Sequence, residues 1–175
     1  KGFVGQLVEL ALGADVDAGE RPDFVKLGIE LKTLPIGRNG RPAESTFCCS
    51  VDLGAAESAR WEGSRLRRRL ARVLFVPVES AKLGALPDRR FFSPILWSPS
   101  EDEKKTLRDD WQLLMGRLGA GLPVSAHLGE ALQLRPKARD GRVQVRVRGD
   151  ARRPVAFYLR AGFTSVILDR MRASP

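Results

Sequence analysis

Asp23, Glu30 and Lys32 offer the clearest chemistry in this chain, and they stand close together in PDFVKLGIELK, residues 22–32. Residues i and i+2 of a strand point to the same side, so Glu30 and Lys32 share a face if the segment is extended. A hairpin partner would then bring Asp23 beside them. Two carboxylates that converge on a point need a positive neighbour to stay ionised cheaply. A hard divalent cation serves, and Mg²⁺ suits a site of one or two carboxylates, a backbone carbonyl and several waters. Lys32 would hold or deprotonate the attacking water, or meet negative charge building up on a phosphate. Such a site hydrolyses phosphodiesters. The same residue types also suit the solvent face of an ordinary hairpin, and spacing alone favours that plainer reading.

The charge balance supplies a partner for such chemistry. Thirty Lys and Arg against 21 Asp and Glu give a formal charge of +9, the footprint of a polyanion binder. Charge alone does not separate nucleic acid from an anionic membrane surface. No run approaches bilayer-spanning length and no secretory pattern occurs, so a cytoplasmic protein without a membrane partner is expected. The cysteines, Cys48 and Cys49, are adjacent and suit neither a disulfide framework nor a zinc site. The single histidine, His127, argues against histidine-based metal or triad chemistry and reads as a loop or helix-end residue. At 175 residues and 43% hydrophobic, the chain suits one domain, or a tightly fused pair of lobes, with a genuine core.

Interleaved helices and strands must position these groups. Phe3, Val4, Leu7, Val8 and Ala11 form a helical stripe that ends before Gly13. Glu9 lies off the stripe, on the side of Gly5 and Gly2, where the surface is bare of bulk. Residues 24–27 and 29–36 predict strands meeting at Gly28, with Ile29 and Leu31 facing one way and Glu30 and Lys32 the other. IGRNGRP predicts a turn and STFCCSVDL a strand. SRLRRRLARV predicts a helix with Leu66, Leu70 and Val73 beneath a solvated face of Arg65, Arg67, Arg68 and Arg69, feeding a buried strand, VLFVPV. Ser98 as cap, Pro99 at the first helical position and Glu101 three residues on from the cap predict a helix start. Leu107, Trp111, Leu114 and Leu118 form that helix's apolar face, and Gly119 ends it. ALQLRPKA, RVQVRVR and AFYL predict strands, and Phe163, Val166 and Ile167 a C-terminal helix. The whole is a mixed α/β chain.

Pro22-Asp23 followed by Glu30-Leu31-Lys32 matches the PD…(D/E)xK signature of the restriction-endonuclease superfamily. More specifically, KGFVGQLVELALGA, DFVKLGIELKTLPI, GRPAESTF, RVLFVPVE, SPILWSPSEDE, LRDDWQLLM, LQLRPKA and FYLRAGFTSVIL resemble, in matching order over nearly the whole chain, successive blocks of the MutH family of DNA mismatch-repair endonucleases. The resemblance implies a restriction-endonuclease-like fold, with a central mixed sheet flanked by helices. It implies a single domain over residues 1–175 whose two sub-lobes clamp duplex DNA. The implied activity is a Mg²⁺-dependent nick 5′ to the G of the unmethylated strand at hemimethylated GATC, with Mn²⁺ or Ca²⁺ also able to occupy the site. Activation by the ATPase MutL, after MutS has found a mismatch, is implied in the same way. A monomer is expected, since a single-strand nick needs one active site.

Carried over residue by residue, Glu9, Asp23, Glu30 and Lys32 match the family's catalytic positions. Asp23, Glu30 and the carbonyl of Leu31 would be metal ligands, Lys32 would act on the attacking water, and Glu9 would help bind or order metal. Phe47, Arg135, Lys137 and Tyr158 match positions that contact the recognition sequence, Tyr158 being the one linked to sensing adenine methylation. An aromatic ring packed near adenine N6 is displaced by an added methyl, and Arg or Lys can bond guanine O6 and N7. The family tends to place a lysine where Arg69 stands, at a position implicated in DNA contact and catalysis, and a guanidinium there keeps the charge but changes the geometry. Residues 139–153 are shorter than and unlike the family, and the turn at 37–40 is one residue longer. The family's N-terminal arm precedes the block that begins at Lys1 and is absent before residue 1 of this sequence, so part of one lobe is expected to be unaccounted for.

Two alternatives stay open at this level. A GATC-specific type II restriction endonuclease shares the fold and motifs but needs two sites to cut both strands. A catalytically silent DNA-binding module has no need of Asp23, Glu30 and Lys32. On residue type alone, Phe47 also suits a core strand, Arg135 and Lys137 a solvated strand end, and Tyr158 a cap on the C-terminal core.

Overall fold

The computed structural model describes residues 2–15, 19–52, 54, 58–136 and 155–173. Its helices are α1 (Phe3–Ala11), α2 (Arg65–Leu70), α3 (Glu101–Gly119) and α4 (Ala161–Ala173), and its strands are β1 (Glu30–Ile36), β2 (Thr46–Ser50), β3 (Val73–Glu79), β4 (Ile95–Trp97), β5 (Leu132–Pro136) and β6 (Val155–Leu159). Lys137 and the strand expected in RVQVRVR lie outside the described residues. No helix among the described residues is long and apolar enough to cross a membrane.

The chain is mixed α/β, but its described strands form two three-stranded sheets rather than the expected central one. In the first, β1 runs parallel to the central β3 and β4 runs antiparallel to it. In the second, β6 pairs antiparallel with both β2 and β5. Leu34, Phe75 and Trp97 from the first sheet share one core with Cys48, Leu132, Leu134, Phe157 and Leu159 from the second, and Trp111, Leu114 and Leu118 of α3 complete it. Val8 of α1 packs with Leu31 and Val76 on the opposite face of β1 and β3. The β1–β3 pair is thus covered on both faces, as parallel strands require.

Three local expectations change. The stripe on α1 is only partly used: Val8 is buried and Val4 half-buried, whereas Phe3 and Leu7 stay exposed. Only one side of this short helix meets the sheet, and Gly5 is buried on that side near Thr33 of β1. The cap of α3 is Ser100, not Ser98. Its hydroxyl accepts from the N–H of Glu103 at 3.2 Å and Glu103 accepts from the N–H of Ser100 at 2.8 Å. Ser100 and Glu103 form the second of two overlapping S-x-x-E pairs, and here both halves of the capping box close. Residues 25–27 form a single 3₁₀ turn instead of a strand.

Candidate active site

That 3₁₀ turn sets Asp23 against β1. Gly28 closes it at φ +64, in the left-handed region open to glycine. Phe24 and Ile29 then exchange backbone hydrogen bonds at 2.9 and 3.3 Å. The hairpin is therefore real but contracted to one antiparallel bridge. Asp23 Oδ2 accepts the N–H of Leu31 at 2.9 Å, so the carboxylate occupies the outer edge of β1 beside Glu30. Asp15 braces this turn from the far end of α1. Its N–H donates to the Asp23 carbonyl at 2.7 Å and its Oδ2 accepts from the N–H of Val25 at 2.8 Å. Sequence reasoning missed Asp15, although an Asp placed after a helix and before a turn is a regular backbone-capping residue.

Period two carries Glu30 and Lys32 onto the face that continues as Leu34 and Ile36, and that face is the core. Asp23 is 3% exposed, Glu30 0% and Lys32 7%. The solvent-face reading of the hairpin is therefore excluded. Charges this deep need partners. Lys32 Nζ donates to Glu30 Oε1, and Arg69 donates to the same oxygen at 2.6 Å. Arg69 also reaches the carbonyls of Gly19 at 2.9 Å and Arg21 at 3.5 Å, on the loop that leads to Asp23.

Arg69 is consequently not part of the expected solvated face; it is 5% exposed, while Arg67 and Arg68 remain outside. The spacing held the clue, because Leu66, Arg69, Leu70 and Val73 recur at i, i+3, i+4 and i+7, the buried stripe of a helix. Ser64 caps α2 by accepting the N–H of Arg67 at 3.1 Å, which fixes the helix that delivers Arg69.

Glu30 Oε2 is buried and makes no hydrogen bond. An anionic oxygen left in this way fits a cation ligand. Among the described residues no group of three or more His, Cys, Asp or Glu side chains is spaced to hold a metal, so Glu9 does not join Asp23 and Glu30 in such a group. Glu9 is half-buried and lines a cleft of about 730 Å³ with Gly2, Gly5, Leu31 and Lys32.

The far wall of this cleft comes from the second sheet. Phe47, Arg135 and Tyr158 all line it. A register shift in β2 between Phe47 and Cys49 leaves Cys48 in the core and Phe47 half-buried, opposite Tyr158. The two rings meet edge to face with centroids 5.6 Å apart, and the Arg135 guanidinium lies 5.4 Å from the Tyr158 ring centre. Burial pushes the Tyr158 phenol above its ordinary range, against the pull of Arg135. All three are half-buried and meet one another at the cleft, outside the core. Gln133 of β5, paired across from Tyr158, donates to Ser45 and fixes the segment before Phe47.

Residues 12–110 match the family described as DNA mismatch repair enzyme MutH. The chain is 45% identical over 175 residues to the DNA mismatch repair protein MutH of Vibrio parahaemolyticus serotype O3:K6, covering 96% of this chain and 77% of that protein. It is 44% identical over 177 residues to the protein of the same name in Yersinia enterocolitica, covering 97% and 78%. The counterpart in Salmonella paratyphi B is also 44% identical, over 97% of this chain and 77% of its own length.

Proposed function

Because the chain belongs to the MutH family of DNA mismatch repair enzymes, we propose that it is a Mg²⁺-dependent endonuclease that nicks the unmethylated strand at hemimethylated GATC. One observation carries the reading. A single cleft joins Lys32 and Glu9 to Phe47, Arg135 and Tyr158, so a polyanion lying in it meets a phosphodiester-cutting group and an aromatic and cationic reading surface together. In this reading the fold is restriction-endonuclease-like and forms one domain, whose two sub-lobes, one carrying the β1–β3–β4 sheet and the other the β2–β6–β5 sheet, clamp the duplex. The enzyme acts in the cytoplasm as a monomer, and MutL activates it once MutS has located a mismatch.

Asp23, Glu30 and the Leu31 carbonyl would hold the cation, and their hard oxygen donors suit Mg²⁺. Bound there, it supplies Lewis-acid polarisation of the phosphate and activation of water. Lys32 orients the attacking water and meets the charge that develops on the phosphate. Arg69 holds Glu30 by Oε1, and Oε2, which makes no hydrogen bond, would serve the cation. Glu9 lies along the cleft beside Lys32 and helps order the site. On the opposite wall, Tyr158 is fixed on two sides by Phe47 and Arg135. A methyl group added at adenine N6 would meet a ring with little freedom to yield. Arg135 and Lys137 would read guanine.

The test is a duplex with one GATC, labelled on each strand and supplied unmethylated, hemimethylated and fully methylated, incubated with the protein, Mg²⁺ and MutL. Nicks confined to unmethylated strands are expected. Concerted double-strand cleavage without MutL would identify a restriction enzyme instead, and binding without cleavage in any metal would identify a binding module.

A further inference from the structure

We propose that Asp110 is a positioning residue for the base-reading face of the cleft, acting through the backbone of β5; this rests on the reading of that face as a sequence-recognition surface. Asp110 lies in the middle of α3 and is 8% exposed. Its Oδ1 accepts the N–H of Glu130 at 3.0 Å, and its Oδ2 accepts those of Ala131 at 2.7 Å and Leu132 at 2.8 Å. Successive backbone N–H groups converging in this way form a concavity for an anion, and the helix fills it with its own carboxylate.

The loop that presents these groups is held as tightly from its other side. Arg160 donates to the carbonyls of Ala126 at 3.0 Å and Gly129 at 2.9 Å, and its N–H donates to the Ala131 carbonyl at 2.8 Å. A Cβ at Gly129 would stand 2.2 Å from the Leu132 carbonyl oxygen and 3.0 Å from Asp110 Oδ2. The close approach to Asp110 therefore requires glycine.

This knot fixes where β5 begins. Leu132 is the first residue of the strand, and it pairs with Leu159. Leu132 and Leu134 are buried, so Gln133 and Arg135 take the alternate face, where Tyr158 lies. A slip of one residue would turn Gln133 and Arg135 into the core and the leucines into the cleft. Asp110 is the register pin, and its influence on DNA passes through Arg135 and its contact with Tyr158. It has no part in the carboxylate and lysine cluster at β1, which sits on the other sheet.

Asp110→Asn keeps the shape but must present an NH₂ to at least one backbone N–H, whichever way the amide turns. The full chain and this variant are compared by fluorescence anisotropy in Ca²⁺ on a GATC duplex and on a scrambled duplex of equal composition, and by the single-turnover nicking rate at saturating GATC duplex with Mg²⁺ and MutL. Circular dichroism establishes that the variant is folded. Affinity for the GATC duplex is expected to fall about tenfold while that for the scrambled duplex changes less than about twofold. The nicking rate at saturation should stay within about threefold of wild type, the split expected of a residue that positions recognition and not chemistry. Equal weakening on both duplexes, or none in a folded variant, would overturn the proposal. Should Asp110→Asn not fold, Arg160→Lys loosens the same loop from its other side and must show the same selective loss. A wild-type protein that binds both duplexes equally would remove the recognition reading and the proposal with it, an outcome read without any variant.

Discussion

Replacing Arg69 separates two roles that one guanidinium could play. If Arg69 holds Glu30, Arg69→Ala removes one of two cations from a fully buried carboxylate, together with hydrogen bonds to the carbonyls of Gly19 and Arg21. Breaking a buried pair by deleting one partner costs about 3–5 kcal/mol. Lys32 remains on the same oxygen, and Gly19 and Arg21 are exposed enough for water to replace the guanidinium. The lower end, about 3 kcal/mol, therefore applies, and for a domain of this size it lowers the melting temperature by about 6–12 °C. Arg69→Lys can keep the contact to Glu30 but cannot fork to the loop carbonyls, so a loss of about 1 kcal/mol is expected. Urea titration gives the stabilities, and a salt series of DNA binding gives the role. Removing a side chain that touches phosphate would reduce the slope of log K against log[salt] by about 0.9, whereas a buried positioning residue leaves the slope alone and lowers the nicking rate. Unchanged stability in Arg69→Ala together with a reduced salt slope would show that Arg69 serves the DNA backbone and not Glu30.

Three further outcomes are expected. Glu30→Ala should abolish nicking while DNA binding is retained or tightened, measured by gel shift in Ca²⁺, since a carboxylate near the phosphates is gone; near wild-type cutting would show that the site is elsewhere. Asp15→Ala frees the Val25 N–H from its acceptor, and should cost about 1 kcal/mol in urea titration and slow nicking more than it weakens binding, because the turn that carries Asp23 loosens. Burial pushes the Cys48 thiol up to about 12 and the Cys49 thiol to about 11, from 9.0 in the unfolded chain. Above pH 9 the unfolded state therefore releases protons that the folded state keeps, so between pH 9 and 11 stability should fall by about 1.4 kcal/mol per pH unit for each thiol. Replacing both with alanine should flatten that part of the profile, and a profile with the same slope would show the thiols are not its source.

The local parts of this molecule are legible in its sequence because local rules decide them. Period two puts Glu30 and Lys32 on one face whatever the rest of the chain does, and the spacing of Leu107, Trp111, Leu114 and Leu118 marks the face of α3 that enters the core. The direction of a face is not local. Glu30 and Lys32 could equally have met solvent, and only the packing of α2, α3 and the second sheet over that face turns it inward. Arg69 escapes local reading for a related reason: five arginines in eight residues suggest a solvated surface, and the one at i+3 from Leu66 is buried because Glu30, 39 positions earlier in sequence, supplies a charge to meet it. Asp110 lies further from reach, since its three donors are 20 to 22 positions away and nothing in LRDDWQLLM distinguishes it from its neighbour Asp109, which stays on the surface in an i, i+4 pair with Lys105.

In the proposed reading, the division between the two sheets bears on how recognition and cutting share one cleft. Burying Glu30 requires compensating cations, and Lys32 and Arg69 both act on it from β1 and α2. Reading a base instead requires half-exposed aromatic and cationic side chains on a rigid face, which the antiparallel β5–β6 pair supplies through Arg135 and Tyr158. A single strand could not bring both sets to one cleft, because alternation would turn neighbouring residues to opposite faces. Separate sheets resolve the conflict, and a shared core makes their relative position stiff. A change confined to β5 can then alter which DNA is held while the groups around Glu30 stay in place. Coupling between recognition and cutting must accordingly pass through the position of the DNA itself or through the packing of α2 and α3 against both sheets.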